Sequence, residues 1–458
     1  MLEPNQHDLI DRFEQLLKSD QVAFFDVEEL EEIADYYLDL GQTKSAAKAI
    51  KLGLQLYPQA PTFVVKRARL LIEDNQMQDA RKALEHASDL APDHPDIDWI
   101  RGMWHMRLGQ HEMAIDALNR AVKKVEDPYH VYAQLAALHS ALGQYPKALE
   151  CLKILIADDP KDEHLLFLIA NNYDMAEDYD GAINWFTYYI DQHPYSESAW
   201  YHLANAQHRK GNLEGAYTAL DYAIIIDENF AAAHFDMGRV LEGLERYAEA
   251  IDHYERAMTD EQPAAYTLYR IGLCLAAIER RSEAILTFKR AITLDEDLAE
   301  AWVELAFLYR EEGRLMEAVS YAKRAIKASK HNPEYMIVII ELYQQLGLMI
   351  ESEKVAQQCM DLLGDDVNAV IDFCMEVIEV GHSLGVKTLL DEALIRLPGQ
   401  VNLWAYVTGF YLDHHDHNLG VEYFQQGHAQ FGDALSAALT SLFPHLSEEI
   451  DALRNSNS

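Results

Sequence analysis

From Val27 to Ala434 the chain repeats a pattern of small and apolar residues with a period of 34. Taking frame 1 from Val27, the eighth position reads Ala34, Ala68, Gly102, Ala136, Ala170, Ala204, Gly238, Gly272 and Ala306, then Ile340, Cys374 and Thr408. The twentieth reads Ala46, Ala80, Ala114, Ala148, Ala182, Ala216, Ala250, Ala284 and Ala318, then Ser352, Val386 and Gly420. Apolar residues between these marks are spaced as on a helix face, as in Trp200, Leu203 and Ala204, then Leu213, Ala216, Leu220 and Ala223. Each frame therefore predicts a hairpin of two helices, A and B. Glycine at position 15 (Gly41, Gly109, Gly143, Gly211, Gly313, Gly347, Gly381) ends helix A in a left-handed conformation, and proline at position 32 (Pro58, Pro92, Pro160, Pro194, Pro398) stops helix B. Small residues at positions 8 and 20 let the two backbones approach closely.

These residues resemble the tetratricopeptide repeat family, whose pattern is W-x2-L-G-x2-Y, then A-x3-F, then P. Frame 9 shows it most fully, with Trp302, Leu305, Ala306, Tyr309, Gly313, Ala318 and Ala325, and frame 6 repeats Trp200, Leu203, Ala204, Gly211 and Ala216. Frames 3, 10, 11 and 12 depart from it, with Asp98 in the Trp position and Ile340, Val386 and Thr408 in small-residue positions. The resemblance implies an all-α solenoid, a right-handed superhelix whose A helices line a concave, peptide-receiving face. The expected organisation is an N-terminal capping helix in 1–26, twelve repeats in 27–434, and a C-terminal capping helix and tail in 435–458. Leu9, Ile10, Phe13, Leu16 and Leu17 make the first cap's apolar stripe, and Asp26 with Glu29 forms a capping box with Phe25 against Leu30 as its staple. Leu435, Ala438, Leu439, Leu442 and Phe443 supply the last stripe, which Pro444 breaks.

Composition narrows the partner. The chain carries 38 Lys or Arg against 76 Asp or Glu, a formal net charge of -38. Nucleic acids and anionic membranes are bound mainly through cations, so neither is an expected partner, whereas a protein or peptide, possibly basic, is. No apolar run reaches a membrane span and the start lacks a signal-peptide pattern, so the expected location is cytoplasmic. Cys151, Cys274, Cys359 and Cys374 are too scattered for a disulfide framework or a metal site.

Little catalytic chemistry is offered. GHSLG, Gly381 to Gly385, matches a nucleophile-elbow pattern around Ser383, but that motif needs a strand-to-helix turn, and here it falls in the A-to-B turn of frame 11. His414, His415 and His417, with Asp413 and Asp416, form a histidine-rich turn that reads as a solvated loop, since a zinc site would draw ligands from a second element. No cofactor and no metal site are expected, and the protein reads as a non-enzyme.

Family geometry turns positions 2, 5, 9 and 12 of helix A into the concavity. Position 5 of frames 5 to 8 reads Phe167, Tyr201, Phe235 and Tyr269; Asn171, Asn205 and Arg239 stand at position 9, and His208 lies close by. Asn amides can bond both backbone groups of an extended peptide, and rings supply contact area. The ladder is either a binding surface or a stabilised family consensus. In frame 3, Trp99, Met103 and Met106 either wall an apolar pocket or, for Trp99, fill the slot left by Asp98. Residues 1–40 hold twelve acidic side chains against Arg12 and Lys18, and Glu28, Glu31, Asp35 and Asp39 fall on the inward face of frame 1, as an acidic socket or a solvated helix. The function expected is a scaffold that binds a protein or extended peptide in its concave groove; the alternative is a regulatory sensor or adaptor that modulates a partner enzyme.

Overall fold

The computed structural model describes residues 4–18, 24–258, 264–329, 332–364, 366–379, 385–414 and 417–456, all assigned here to helices and the turns between them. A helices begin at Val27, Pro61, Asp96, Tyr129, Glu163, Glu197, Ala231, Ala265, Ala299, Pro333, Val367 and Val401. B helices begin at Thr43, Met77, His111, Tyr145, Tyr179, Leu213, Tyr247, Arg281, Leu315, Met349, Gly385 and His417. Of the helix starts whose preceding residue is described, only Asp96 departs from the 34-residue step, so the frame read from small residues is also the frame of the helices. The chain divides into two compact units, Met1–Glu228 and Asn229–Ser458, each an all-α stack of hairpins.

The A-to-B turn has one backbone solution. In frames 1 to 10 the residue at position 15 is left-handed, and the next residue's N–H reaches back five residues to a helix carbonyl: Gln42 to Tyr37, 2.8 Å; Arg246 to Leu241, 2.8 Å; Arg314 to Tyr309, 2.9 Å. This is the Schellman closure of a helix end. Glycine is not required to make it, because Asn75, Glu177, Glu245 and Glu279 adopt φ of 59, 53, 59 and 60° at the same position. The signature tryptophans fasten the next turn: Trp200 Nε1 donates to the Pro194 carbonyl (2.9 Å) and Trp302 Nε1 to that of Glu296 (2.9 Å), each at position 32 of the preceding frame.

The helix Pro4–Lys18 covers the first hairpin with Leu9, Ile10 and Phe13, while Leu17 stays 39% exposed. Phe13 meets Phe25 edge-on at 6.0 Å, and the Asp26–Glu29 capping box is present in both directions. At the other end the structure goes beyond the expected single cap. Helix Asp433–Leu442 buries Leu435 and Leu439, and a 3-10 turn at Pro444–Leu446 then redirects the chain into a further helix, Ser447–Ser456, which buries Ile450 in the same cluster. The stripe's helix thus ends before Pro444, as expected, and Pro444 opens the 3-10 turn, where a first-turn proline costs no helical hydrogen bond.

Candidate functional site

In the first unit the A helices Glu163–Met175 and Glu197–Arg209 carry the front half of the aromatic ladder. Phe167 is 54% exposed, and its ring lies 6.5 Å from His202, which in turn packs 5.6 Å from Phe186 and 5.5 Å from Tyr201. Burial pushes the His202 imidazole down to about 4, so it is a neutral floor beneath the rings at physiological pH. Asn171 is exposed and Asn205 half-buried, and neither amide has a hydrogen-bond partner among the described residues. Asn172, one position on, shows the opposite fate: it is buried, accepts from Ser140 Oγ at 2.7 Å and donates to the Leu168 carbonyl at 2.8 Å. Position 9 thus leaves its amides available, while position 10 spends them on packing. His208 is half-buried on the same helix, and the neighbouring Arg209 is paired with Asp174 at 3.2 Å.

In the second unit Phe235 and Tyr269 are half-buried and joined through Tyr266, with centroid separations of 6.2 and 5.8 Å. Arg239 is paired with Asp236 at 3.3 Å. Glu242, at position 12 of frame 7, accepts from Tyr254 Oη and from Nε and Nη2 of Arg270, at position 6 of frame 8. In the following pair of frames position 12 is Ala276 and position 6 is Glu304, so the carboxylate loses its counterpart. Glu304 has no ion pair or hydrogen bond among the described residues, and burial pushes its carboxyl above the usual range. It acts electrostatically on Tyr269 and Tyr335, as does Glu300 one helical turn earlier. Sequence reading missed Glu304 and Tyr335; the detectable signal was the change from Arg270 to Glu304 at one frame position.

The acidic face of frame 1 is partly neutralised from within the array. Lys66 Nζ lies 2.6 Å from Asp35, and Arg69 Nη2 lies 2.7 Å from Asp39 while its Nε reaches Glu73 at 3.1 Å. Glu28 and Glu31 have no such partner among the described residues. The guanidinium of Arg69 also lies over the Trp99 ring at 5.0 Å, and His130 meets that ring edge-on at 4.3 Å. Trp99 Nε1 donates to Gln134 at 3.1 Å. Trp99 and Met103 pack, partly buried, against a cluster containing Val64, Ile97 and Ile100, and Met106 is half-buried. Trp99 Nε1 thus bonds the following frame, whereas Nε1 of Trp200 and Trp302 bonds the preceding one, and position 4 here is Asp98. Asp98 fills it as an ion centre, 4% exposed, reached by Lys124 at 2.7 Å, Arg120 at 3.1 Å and Arg101 at 3.3 Å. Burial alone would raise its carboxyl, but the bonds from Lys124 and Arg120 hold it below the usual range.

The remaining candidates are the cysteines, Ser383 and the histidine turn. All four cysteines are buried, and burial pushes the thiols of Cys151, Cys274 and Cys374 up to about 11, 12 and 12, far from a thiolate nucleophile. Ser383 lies outside the described residues, as do His415 and Asp416 and the side chains of His414 and Val386. His417 Nε2 bonds the Glu449 carboxylate, and His445 lies 3.0 Å from Asp413, so the described part of the histidine turn is tied to the last helix and its preceding turn. No group of three or more metal-ligating side chains occurs among the described residues, and no described helix is long and apolar enough to cross a membrane.

Comparison with known proteins bears on the family. A family model described as tetratricopeptide repeat matches residues 65–130, 134–197 and 269–333, and a second of the same description matches 222–297. No curated protein matches the chain significantly. Solved structures similar to it include YrrB, described as a tetratricopeptide repeat protein with an unusual peptide-binding site (23% identity over 40% of this chain and 95% of that one, TM-score 0.33). Others are the Naa15/Naa10 complex bound to HypK-THB (14%, 94% and 78%, 0.40) and the Cut9–Hcn1 hetero-tetramer (12%, 84% and 96%, 0.36).

Proposed function

The chain belongs to the tetratricopeptide repeat family, a protein-interaction fold, and from that premise we propose that it is a non-enzymatic scaffold holding an extended segment of a partner protein against its A helices. The observation that carries the reading is the pair of unpartnered amides, Asn171 and Asn205, one helical turn from the exposed Phe167 ring and the half-buried Tyr201. An extended backbone needs donors and acceptors at intervals, and rigid rings bind at low entropic cost. Phe235 and Tyr269 offer the same ring surface in the second unit, where Glu304 and Glu300, lacking cations of their own, favour a partner segment that carries Lys or Arg.

The test begins with a partner captured from lysate and expressed separately. It is then titrated against the full chain, a Phe167→Ala/Tyr201→Ala variant and an Asn171→Ala/Asn205→Ala variant. Ring removal should weaken binding by at least about 2 kcal/mol with helical content unchanged. Undiminished binding by both variants would place the partner elsewhere and overturn the reading.

A further inference from the structure

A second surface lies on the B helices of frames 7 to 9, and its evidence is independent of the A-helix face. Each of these repeats has two arginine positions with opposite fates, one at the N-cap of helix B and one within it. At position 16, Arg246, Arg280 and Arg314 each pair with a glutamate three residues on, at 2.6 Å to Glu249, 2.5 Å to Glu283 and 3.0 Å to Glu317. At position 26, Arg256, Arg290 and Arg324 are all exposed. Arg256 and Arg290 have no ion pair or hydrogen bond among the described residues, and Arg324 lies over the Trp302 ring at 5.2 Å. In a chain with twice as many acidic as basic side chains, three successive repeats thus leave the same guanidinium without a carboxylate partner among the described residues.

The surroundings of Arg290 supply more than charge. It lines a recess of about 610 Å3 whose apolar wall is Ile251, Leu268, Ile271 and Leu275, and Leu286, one helical turn before it, is 62% exposed. Asp252 and Glu255 share the rim without pairing with Arg290.

We propose that this B-helix face docks an acidic, extended segment of a partner protein, with its carboxylates on Arg256, Arg290 and Arg324 and an apolar side chain in the recess beside Leu286. The three arginines recur at one position of successive repeats, and an extended chain advances about 3.3 Å per residue, so carboxylates spaced along it can meet them in turn. Guanidinium groups bind carboxylates through paired, charge-assisted hydrogen bonds. Charge complementarity over this short stripe favours a peptide. A nucleic acid would extend its phosphates over the rest of an acidic surface.

The probe is a fluorescent peptide repeating Glu-Glu-Leu, read by anisotropy against the full chain at low salt and at about 0.15 M salt. Binding should weaken at the higher salt and fall at least about tenfold in Arg256→Gln/Arg290→Gln. A charge-matched control, Arg246→Gln/Arg314→Gln, removes arginines already spent on glutamates and should change affinity less than about twofold. The Gln-Gln-Leu peptide should not bind. No binding of the acidic peptide to the full chain, equal losses in the two double variants, or tighter binding of a single-stranded RNA of equal charge would each overturn the proposal.

Discussion

Gly272 and Phe288 face each other so closely across their hairpin that a β-carbon on the glycine would fall 2.5 Å from the ring's Cε1. The same relation holds between Gly238 and Tyr254 (2.6 Å) and between Gly102 and Leu118 (2.7 Å), each pair occupying positions 8 and 24 of one frame. In frame 10 the sizes are exchanged: Ile340 stands at position 8 and Ala356 at position 24, both fully buried. The hairpin core is therefore filled by pairs of complementary volume rather than by small residues alone. Gly272→Ala should cost about 1 to 3 kcal/mol by overpacking, and Phe288→Leu in the same chain should recover part of it. Denaturant unfolding measures both. Additive losses in the double variant would show that the two positions do not share one space.

The left-handed turn residues give a stabilisation that needs no new contact. Glu177, Glu245 and Glu279 hold positive φ at the position where six others of frames 1 to 10 have glycine. A side chain pays a steric penalty there that glycine avoids. Each Glu→Gly substitution should stabilise its unit by about 1 kcal/mol, reversing the usual penalty for glycine near a helix. Thermal unfolding of the three single variants decides it, with a lowered melting temperature as the contrary result.

His202 makes the first unit sensitive to acid. Its imidazole, ordinarily near 6.5, is pushed down to about 4 by burial among Phe167, Phe186 and Tyr201. A depressed histidine is neutral in the folded chain, so its full stability is present above pH 6.5. As pH falls below 6.5 the unfolded chain takes up the proton first, and stability is lost down to about pH 4. The loss should approach about 3 kcal/mol. His202→Gln should flatten that part of the stability profile of the first unit; an unchanged slope would show that the imidazole titrates normally.

Much of this protein was legible in one dimension because its repeat is local. The hairpins and the A-to-B turns of frames 1 to 10 depend on residues a few positions apart, so small residues at 8 and 20 and glycines at 15 mark them, as the Asp26–Glu29 pair marks the first capping box. The left-handed Glu177, Glu245 and Glu279 escaped notice because the closure is set by backbone hydrogen bonds and only favours glycine. The pairing of Asp35 with Lys66, Asp39 with Arg69 and Glu242 with Arg270 joins residues 31, 30 and 28 apart in sequence. Whether such side chains meet depends on how one hairpin stacks on the next and how far each side chain reaches, and no periodicity records either. Sequence by itself determined the repeat, its helices and its acidic character. Tertiary structure alone decided which of those charges, rings and amides are already spent on neighbouring repeats and which, like Asn171, Glu304 and Arg290, are left without a partner among the described residues, because only stacking brings a side chain within reach of the group that would satisfy it.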